Sequence, residues 1–139
     1  MPEPDKAVVV AREWMSKAEN DLKTAAHTLK LGADCPTDTV CFHAQQCVEK
    51  YVKALLVVLE IPFPKTHDIG VLIGLMPKHA TLSLTVEQQR RFTEYATVMR
   101  YPGPYEVIAL SEAKEAVKLA RRSRREVRKL LENKPLLGG

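Results

Sequence analysis

The sequence predicts an all-α protein, an up-and-down antiparallel four-helix bundle with one additional short helix. Two observations carry this. Apolar residues recur at spacings of three and four in five segments, and no segment alternates apolar with polar residues as a half-buried strand does. Proline and glycine fall between those segments, at Gly32, Pro36, Pro62, Pro64, Pro77 and Pro102-Gly103-Pro104, and short connections between long helices favour antiparallel neighbours.

The first helix is expected over about Val9 to Leu31. Its stripe is Trp14, Ala18, Leu22, Ala25 or Ala26, and Leu29, and Gly32 is placed to end it in a left-handed conformation. A turn over 34–38 follows, with Thr37 or Asp38 as N-cap of a second helix from about Thr39 to Glu60. Val40, Ala44, Cys47, Val48, Tyr51, Leu55, Val58 and Leu59 form its stripe. Its second half is apolar nearly all round, so it is the expected central element.

Pro62 and Pro64 force an extended connection, because each also bars its predecessor from helix. Asp68 or Thr66 caps a short third helix, Ile69 to Leu75 or Met76, which Pro77 closes. Thr85-Val86-Glu87-Gln88 reads as a capping box opening a fourth helix with the stripe Val86, Phe92, Tyr95, Ala96 and Met99, ended by Pro102-Gly103-Pro104. The fifth helix starts near Ser111 and packs Ala113, Ala116, Val117, Ala120, Val127, Leu130 and Leu131. The 139 residues are expected to form one domain, 1–139, with a core over about 9–132 and a frayed tail over 133–139.

Composition narrows the class. A hydrophobic fraction of 45% with 27% charged residues is ordinary for a globular protein. No apolar run approaches the roughly 18 residues that span a membrane, and the first six residues lack the basic start of a secretory signal, so a cytoplasmic location is expected. Three cysteines form neither a CxxC pair nor a zinc pattern. Cys41 and Cys47 are expected on different sides of the second helix, with Cys47 as a core hydrophobe. The net charge is +4, but residues 111–134 carry nine Lys or Arg against four Glu. That local excess makes the last helix, with Arg121, Arg122, Arg124 and Arg125, the candidate surface for a phosphate backbone or an acidic partner. The competing reading is a solvated face whose cations complement the helix dipole.

No glycine-rich phosphate loop, dinucleotide fingerprint or HExxH motif occurs, and neither a cofactor nor a metal is expected. Three polar clusters remain. On the second helix His43, Gln46, Lys50 and Lys53 follow spacings of three, four and three and share a face away from the stripe, with Gln45 and Glu49 in an adjacent row. That face reads as a surface for a second subunit or a nucleotide, or as a solvated face with a Glu49–Lys53 pair. Thr66-His67-Asp68 reads as structural, with His67 bridging to the bundle. The third cluster is Arg100-Tyr101-Pro102-Gly103-Pro104-Tyr105-Glu106.

Together the His43-Ala44-Gln45-Gln46-Cys47-Val48-Glu49-Lys50 run, Thr66-His67-Asp68 and Arg100-Tyr101-Pro102-Gly103 resemble the HEPN family of small nucleotide- and RNA-associated helical domains. The resemblance implies a homodimer in which two arginine loops approach a shared cleft. It also implies a minimal nucleotidyltransferase as partner in a toxin–antitoxin-like pair, with nucleotide or RNA as ligand. Active HEPN ribonucleases follow their arginine, after four to six residues, by a histidine. Arg100 matches that arginine, but positions 105–107 hold Tyr105, Glu106 and Val107. Tyrosine, with a reference pKa near 10, is a poor general base at neutral pH, and a carboxylate repels phosphate. The expectation is therefore a non-catalytic domain binding nucleotide or RNA, or a partner, through Arg100, Tyr101, His43, Gln46, Lys50, Lys53 and the basic last helix. The alternatives are a metal-independent ribonuclease toxin with an altered site at Arg100, Tyr105 and Glu106, and a dimeric helical scaffold.

Overall fold

A computed structural model describes residues 5–104 and 106–132. The chain runs α1 (Lys6–Leu29), α2 (Thr37–Val58), α3 (Ile69–Gly74), α4 (Val86–Ala96) and α5 (Leu110–Glu132), with 3₁₀ turns at Gly32–Asp34 and Val98–Arg100. Among the described residues there is no strand. The four longer helices form the expected up-and-down bundle, and α3 is a short insertion on it. No described helix is long and apolar enough to cross a membrane. The tail over 133–139 lies outside the described residues.

The helix ends differ from the expected ones in informative ways. α1 begins three residues early because Asp5 caps it, accepting from the Ala7 N–H at 2.7 Å. It stops at Leu29, and Gly32 adopts the left-handed φ of 65° inside the following 3₁₀ turn. α2 has Pro36 at its N-cap position with no side-chain cap. Thr37 donates instead to the Ile108 carbonyl at 2.7 Å, and so ties the start of α2 to the approach to α5. Asp68 caps α3 by accepting from the Val71 N–H at 3.0 Å, and both halves of the Thr85–Gln88 capping box are formed. α4 ends at Ala96, before the prolines, because Thr97 leaves helical geometry and its hydroxyl returns to the Thr93 carbonyl.

The core is α2 wrapped by its neighbours. Val40, Ala44, Cys47, Val48, Tyr51, Leu55 and Val58 are buried as the stripe requires, together with Ala18, Leu22 and Ala25 of α1 and Ala113, Ala116, Val117, Ala120, Val127 and Leu131 of α5. One expectation needs correction. Val86 is exposed rather than on the α4 stripe, because it occupies the first turn, before the helix reaches the core. Cys47 is a core residue as expected, and Cys41 is fully buried too, because α2 is covered on more than one side.

The larger correction concerns the polar face of α2, which is not a free surface. Gln45, Gln46, Glu49 and Lys53 are buried, and Lys50 and His43 are partly so. Glu49, only 3% exposed, is the hub. Its Oε1 accepts from Gln45 Nε2 at 3.0 Å and lies 2.7 Å from His67 Nδ1, while its Oε2 accepts from Lys53 Nζ at 3.0 Å. The Lys53 ammonium also lies 5.3 Å from the Trp14 ring centroid and 5.8 Å from that of Phe63. The expected Glu49–Lys53 pair is present, but inside the protein rather than on a solvated face. His67 does bridge to the bundle, through that same carboxylate. Gln46 and Lys53 are thus consumed by the fold and are removed from the expected binding surface.

Candidate phosphate-binding cleft

Arg100 stands at the end of the 3₁₀ turn that follows α4, its N–H donating to the Thr97 carbonyl at 3.1 Å. This turn sets the exposed side chain across the first turns of α2, where the guanidinium carbon lies 4.1 Å from the Phe42 ring centroid. Stacking on an aromatic face holds the fork in one orientation while its N–H groups stay available to an anion. A cleft of about 160 Å³ opens beside it, lined by Asp38, Thr39, Phe42 and His43 of α2, Tyr95 of α4, and Met99 and Arg100. Ligand pockets for whole drug-sized molecules run from about 300 Å³ upward, so this cleft has room for one chemical group rather than an entire nucleotide.

His43 enters that cleft with its orientation set. Its ring stands edge-on to Phe42, and its Nδ1 lies 2.8 Å from Oδ1 of Asp21 on α1. A carboxylate can only accept, so Nδ1 carries the proton in this pair and Nε2 is the ring nitrogen left for the cleft. Asp21 is itself only 8% exposed, and its second oxygen accepts from Lys50 Nζ at 2.5 Å. The carboxylate therefore serves two basic residues of α2 spaced one heptad apart, His43 and Lys50. Lys50 is held by this pairing and does not line the cleft.

The remaining expected site residues separate. Tyr101 is 70% exposed and does not line the cleft, although it sits next to Arg100. Tyr105 lies outside the described residues. Glu106 is exposed, and the neighbour of Arg100 is the Phe42 ring. The α5 arginines are elsewhere. Arg124 grips Glu19 of α1, its Nε 2.9 and 3.0 Å from the two carboxylate oxygens. Arg122 faces Glu126 at 3.9 Å, and Arg121 and Arg125 are exposed without an ion-pair partner among the described residues. Hydrogen bonding to Arg124 holds the Glu19 carboxyl below its ordinary range.

Sequence reasoning missed Asp21 and Phe42. Asp21 was legible: it lies between Ala18 and Ala25 at spacings of three and four, so a carboxylate sits on the apolar stripe and requires a cationic partner on the facing helix. Phe42 carried no such signal, since its role depends on the turn at Val98–Arg100.

The fold agrees with what the chain is similar to. A family model described as the HEPN domain matches residues 11–130. The chain belongs to the HEPN family. Among curated proteins it is 32% identical over 112 residues to "Putative toxin MJ1304" of Methanocaldococcus jannaschii, a match that spans 68% of this chain and 65% of that protein's length. The crystal structure of TT1696 from Thermus thermophilus matches with a TM-score of 0.74 at 28% identity, covering 86% of this HEPN chain and 97% of that one. That of ST0689, an archaeal HEPN homologue, matches with a TM-score of 0.66 at 26% identity, over 86% and 95%.

Proposed function

We propose that this HEPN domain binds a phosphate group of a nucleotide or RNA between Arg100 and His43, as a homodimer and as the partner of a minimal nucleotidyltransferase in a toxin–antitoxin-like pair. The observation that carries the reading is the cleft itself. An exposed arginine stacked on Phe42 faces a histidine whose other nitrogen is already held by Asp21. Arg100 supplies a forked donor to two phosphate oxygens, and a protonated His43 adds Nε2–H as a further charge-assisted donor. Asp38 on the lip limits the net positive charge, which favours a ligand that brings one or two negative charges. Exposed Val98 and Tyr101, within and just after the arginine turn, support docking of a second protein surface over it. The name of the Methanocaldococcus jannaschii relative supports the toxin–antitoxin setting.

A second reading, a metal-independent ribonuclease, is favoured by His43 lining the arginine cleft although the motif histidine is absent. In that chemistry neutral Nε2 takes the proton of a 2′-hydroxyl as its oxygen bonds to phosphorus. The P–O5′ bond breaks, and the leaving oxygen takes a proton, giving a 2′,3′-cyclic phosphate and a 5′-hydroxyl. Arg100 stabilises the charge on the phosphoryl oxygens.

Titration calorimetry with a nucleoside monophosphate, beside cleavage of labelled RNA in the presence of a chelator, separates the two. Binding that weakens in Arg100→Ala and His43→Gln, with no cleavage by any protein, is the expected result. Cleavage lost in both variants establishes the ribonuclease instead. Binding indifferent to both substitutions, or no binding, overturns the proposal.

A further inference from the structure

The cations of α5 divide into two sets. Arg122, Arg124 and Arg128 each face a carboxylate, Glu126 for the first and Glu19 of α1 for the other two. Lys114, Lys118, Arg121 and Arg125 do not, and neither does Lys129 in the last turn. The first four recur at spacings of four, three and four, all are exposed, and among the described residues none has an ion-pair partner. These spacings put them in one row along about 16 Å of helix. At Arg121 the row meets a groove of about 640 Å³ between α1 and α5, lined also by Lys23, Thr24, Ala26, His27, Thr28 and Lys30, without a carboxylate.

Solubility alone does not account for this segregation. A solvated helix face interleaves the two signs and gains from i,i+4 pairs of opposite charge. Here Lys114–Lys118 and Arg121–Arg125 are like-charge pairs at that spacing, which cost stability. Complementing the helix dipole does not account for it either, because that effect is confined to the last turn, and Lys114 and Lys118 lie well before it in α5 (Leu110–Glu132). A polyanion laid along the row removes the like-charge penalty.

We propose that this ridge, Lys114, Lys118, Arg121 and Arg125 with the groove rim of Lys23 and Lys30, binds the phosphate backbone of single-stranded RNA. It is a surface separate from the Arg100 cleft. Arginine forks and lysine ammoniums are the donors that phosphate oxygens accept from, and they carry no base specificity. Binding is therefore sequence-tolerant and strongly salt-dependent.

The test is fluorescence anisotropy of a labelled polyuridine oligonucleotide across a salt series, with the full chain. Wild type is expected to lose affinity with salt, at a slope near −0.7 per phosphate neutralised. Lys118→Glu/Arg121→Glu is expected to weaken binding at least ~10-fold and to flatten the slope by about 1.4, because two phosphates are no longer neutralised. Lys118→Gln/Arg121→Gln, at exposed positions, gives a smaller loss and guards against misfolding, with circular dichroism as control. Nucleoside monophosphate affinity of the same ridge variants, measured by calorimetry, is expected to match wild type, so the ridge and the cleft fail independently. Ridge variants that bind as wild type does overturn the proposal. So does displacement of the RNA by polyglutamate at equal charge, which assigns the ridge to an acidic protein.

Discussion

Asp21 and His43, on neighbouring helices and 22 positions apart, meet at 2.8 Å, and this contact converts a helix-face histidine into a fixed member of the Arg100 cleft. The same carboxylate holds Lys50, so one buried acid on α1 aligns two basic groups of α2. Removing the acid therefore has a structural and a functional consequence.

Asp21→Ala leaves Lys50 and His43 without their shared acceptor in a largely buried place. The expected loss is about 2–4 kcal/mol, at the lower end because Lys50 and His43 keep some solvent contact. Asp21→Asn keeps one acceptor and costs less. Chemical denaturation with an unchanged m-value measures both, and a cost under about 0.5 kcal/mol for Asp21→Ala refutes the bridging role.

Glu49 is a more deeply buried hub, and its removal is the most damaging single change expected. Glu49→Gln leaves the Lys53 ammonium buried without a counter-charge, at a cost of about 3 kcal/mol. Lys53→Met costs less, because Glu49 keeps His67 and Gln45 and the methionine fills the space between Trp14 and Phe63. Equal costs for the two variants, compared by urea midpoints, contradict this asymmetry.

Arg100→Ala separates stability from binding. Its contact with Phe42 is an exposed cation–π pair worth about 0.5–1 kcal/mol, so the melting temperature should move by only a few degrees. Nucleoside monophosphate affinity should fall at least ~10-fold, since even one of the two charge-assisted hydrogen bonds of the fork is worth that much. A variant that unfolds while keeping its affinity reverses the assignment.

Acid should weaken the bundle through Glu19 and Glu112. Arg124 holds Glu19, and Arg91 holds Glu112 with Tyr95 as a further donor, so both carboxyls lie below the ordinary value of 4.5. A carboxyl depressed in the folded state contributes stability fully above its unfolded value and loses it as pH falls through the folded value. Stability should thus be flat from neutrality down to about pH 5 on this account, then decline below about 4.5. Each pair is partly exposed and contributes about 0.5–1 kcal/mol. Glu112→Gln should be less stable at pH 7 and show a shallower acid decline. An unchanged decline removes Glu112 from the explanation.

The three cysteines should be inert in the native protein. All are free and buried, and burial pushes the Cys41 thiol up to about 12 and Cys47 higher still. A thiol reagent should find none in the folded chain and three after denaturation. Rapid native labelling indicates local opening of α2.

The helices were legible because their signals are local. Asp68, the Thr85–Gln88 box, the 3.6-residue stripes and the prolines act through neighbours a few residues away, and each produced the expected element. The α4 end was misplaced for the same reason, since Thr97 departs from helix before any proline requires it. Arg100 was readable from its motif and His43 from its helix position, but not their placement in one cleft.

Local pattern was enough to specify an all-helical chain, an amphipathic order of segments and the resemblance that the HEPN family model confirms. Helix packing then selected which polar residues remain free. Periodicity reports which side chains share a face of a helix, not whether another helix covers that face. α1 and the segment before α3 cover Gln46, Glu49 and Lys53, so charges that read as surface became a buried network. Glu19 removed Arg124 and Arg128 from the basic stripe, and the α1–α5 packing brought Lys23 and Lys30 to Arg121. Charge pairing acts over a few ångströms in space, across separations of a hundred residues in sequence, and only the fold sets those distances.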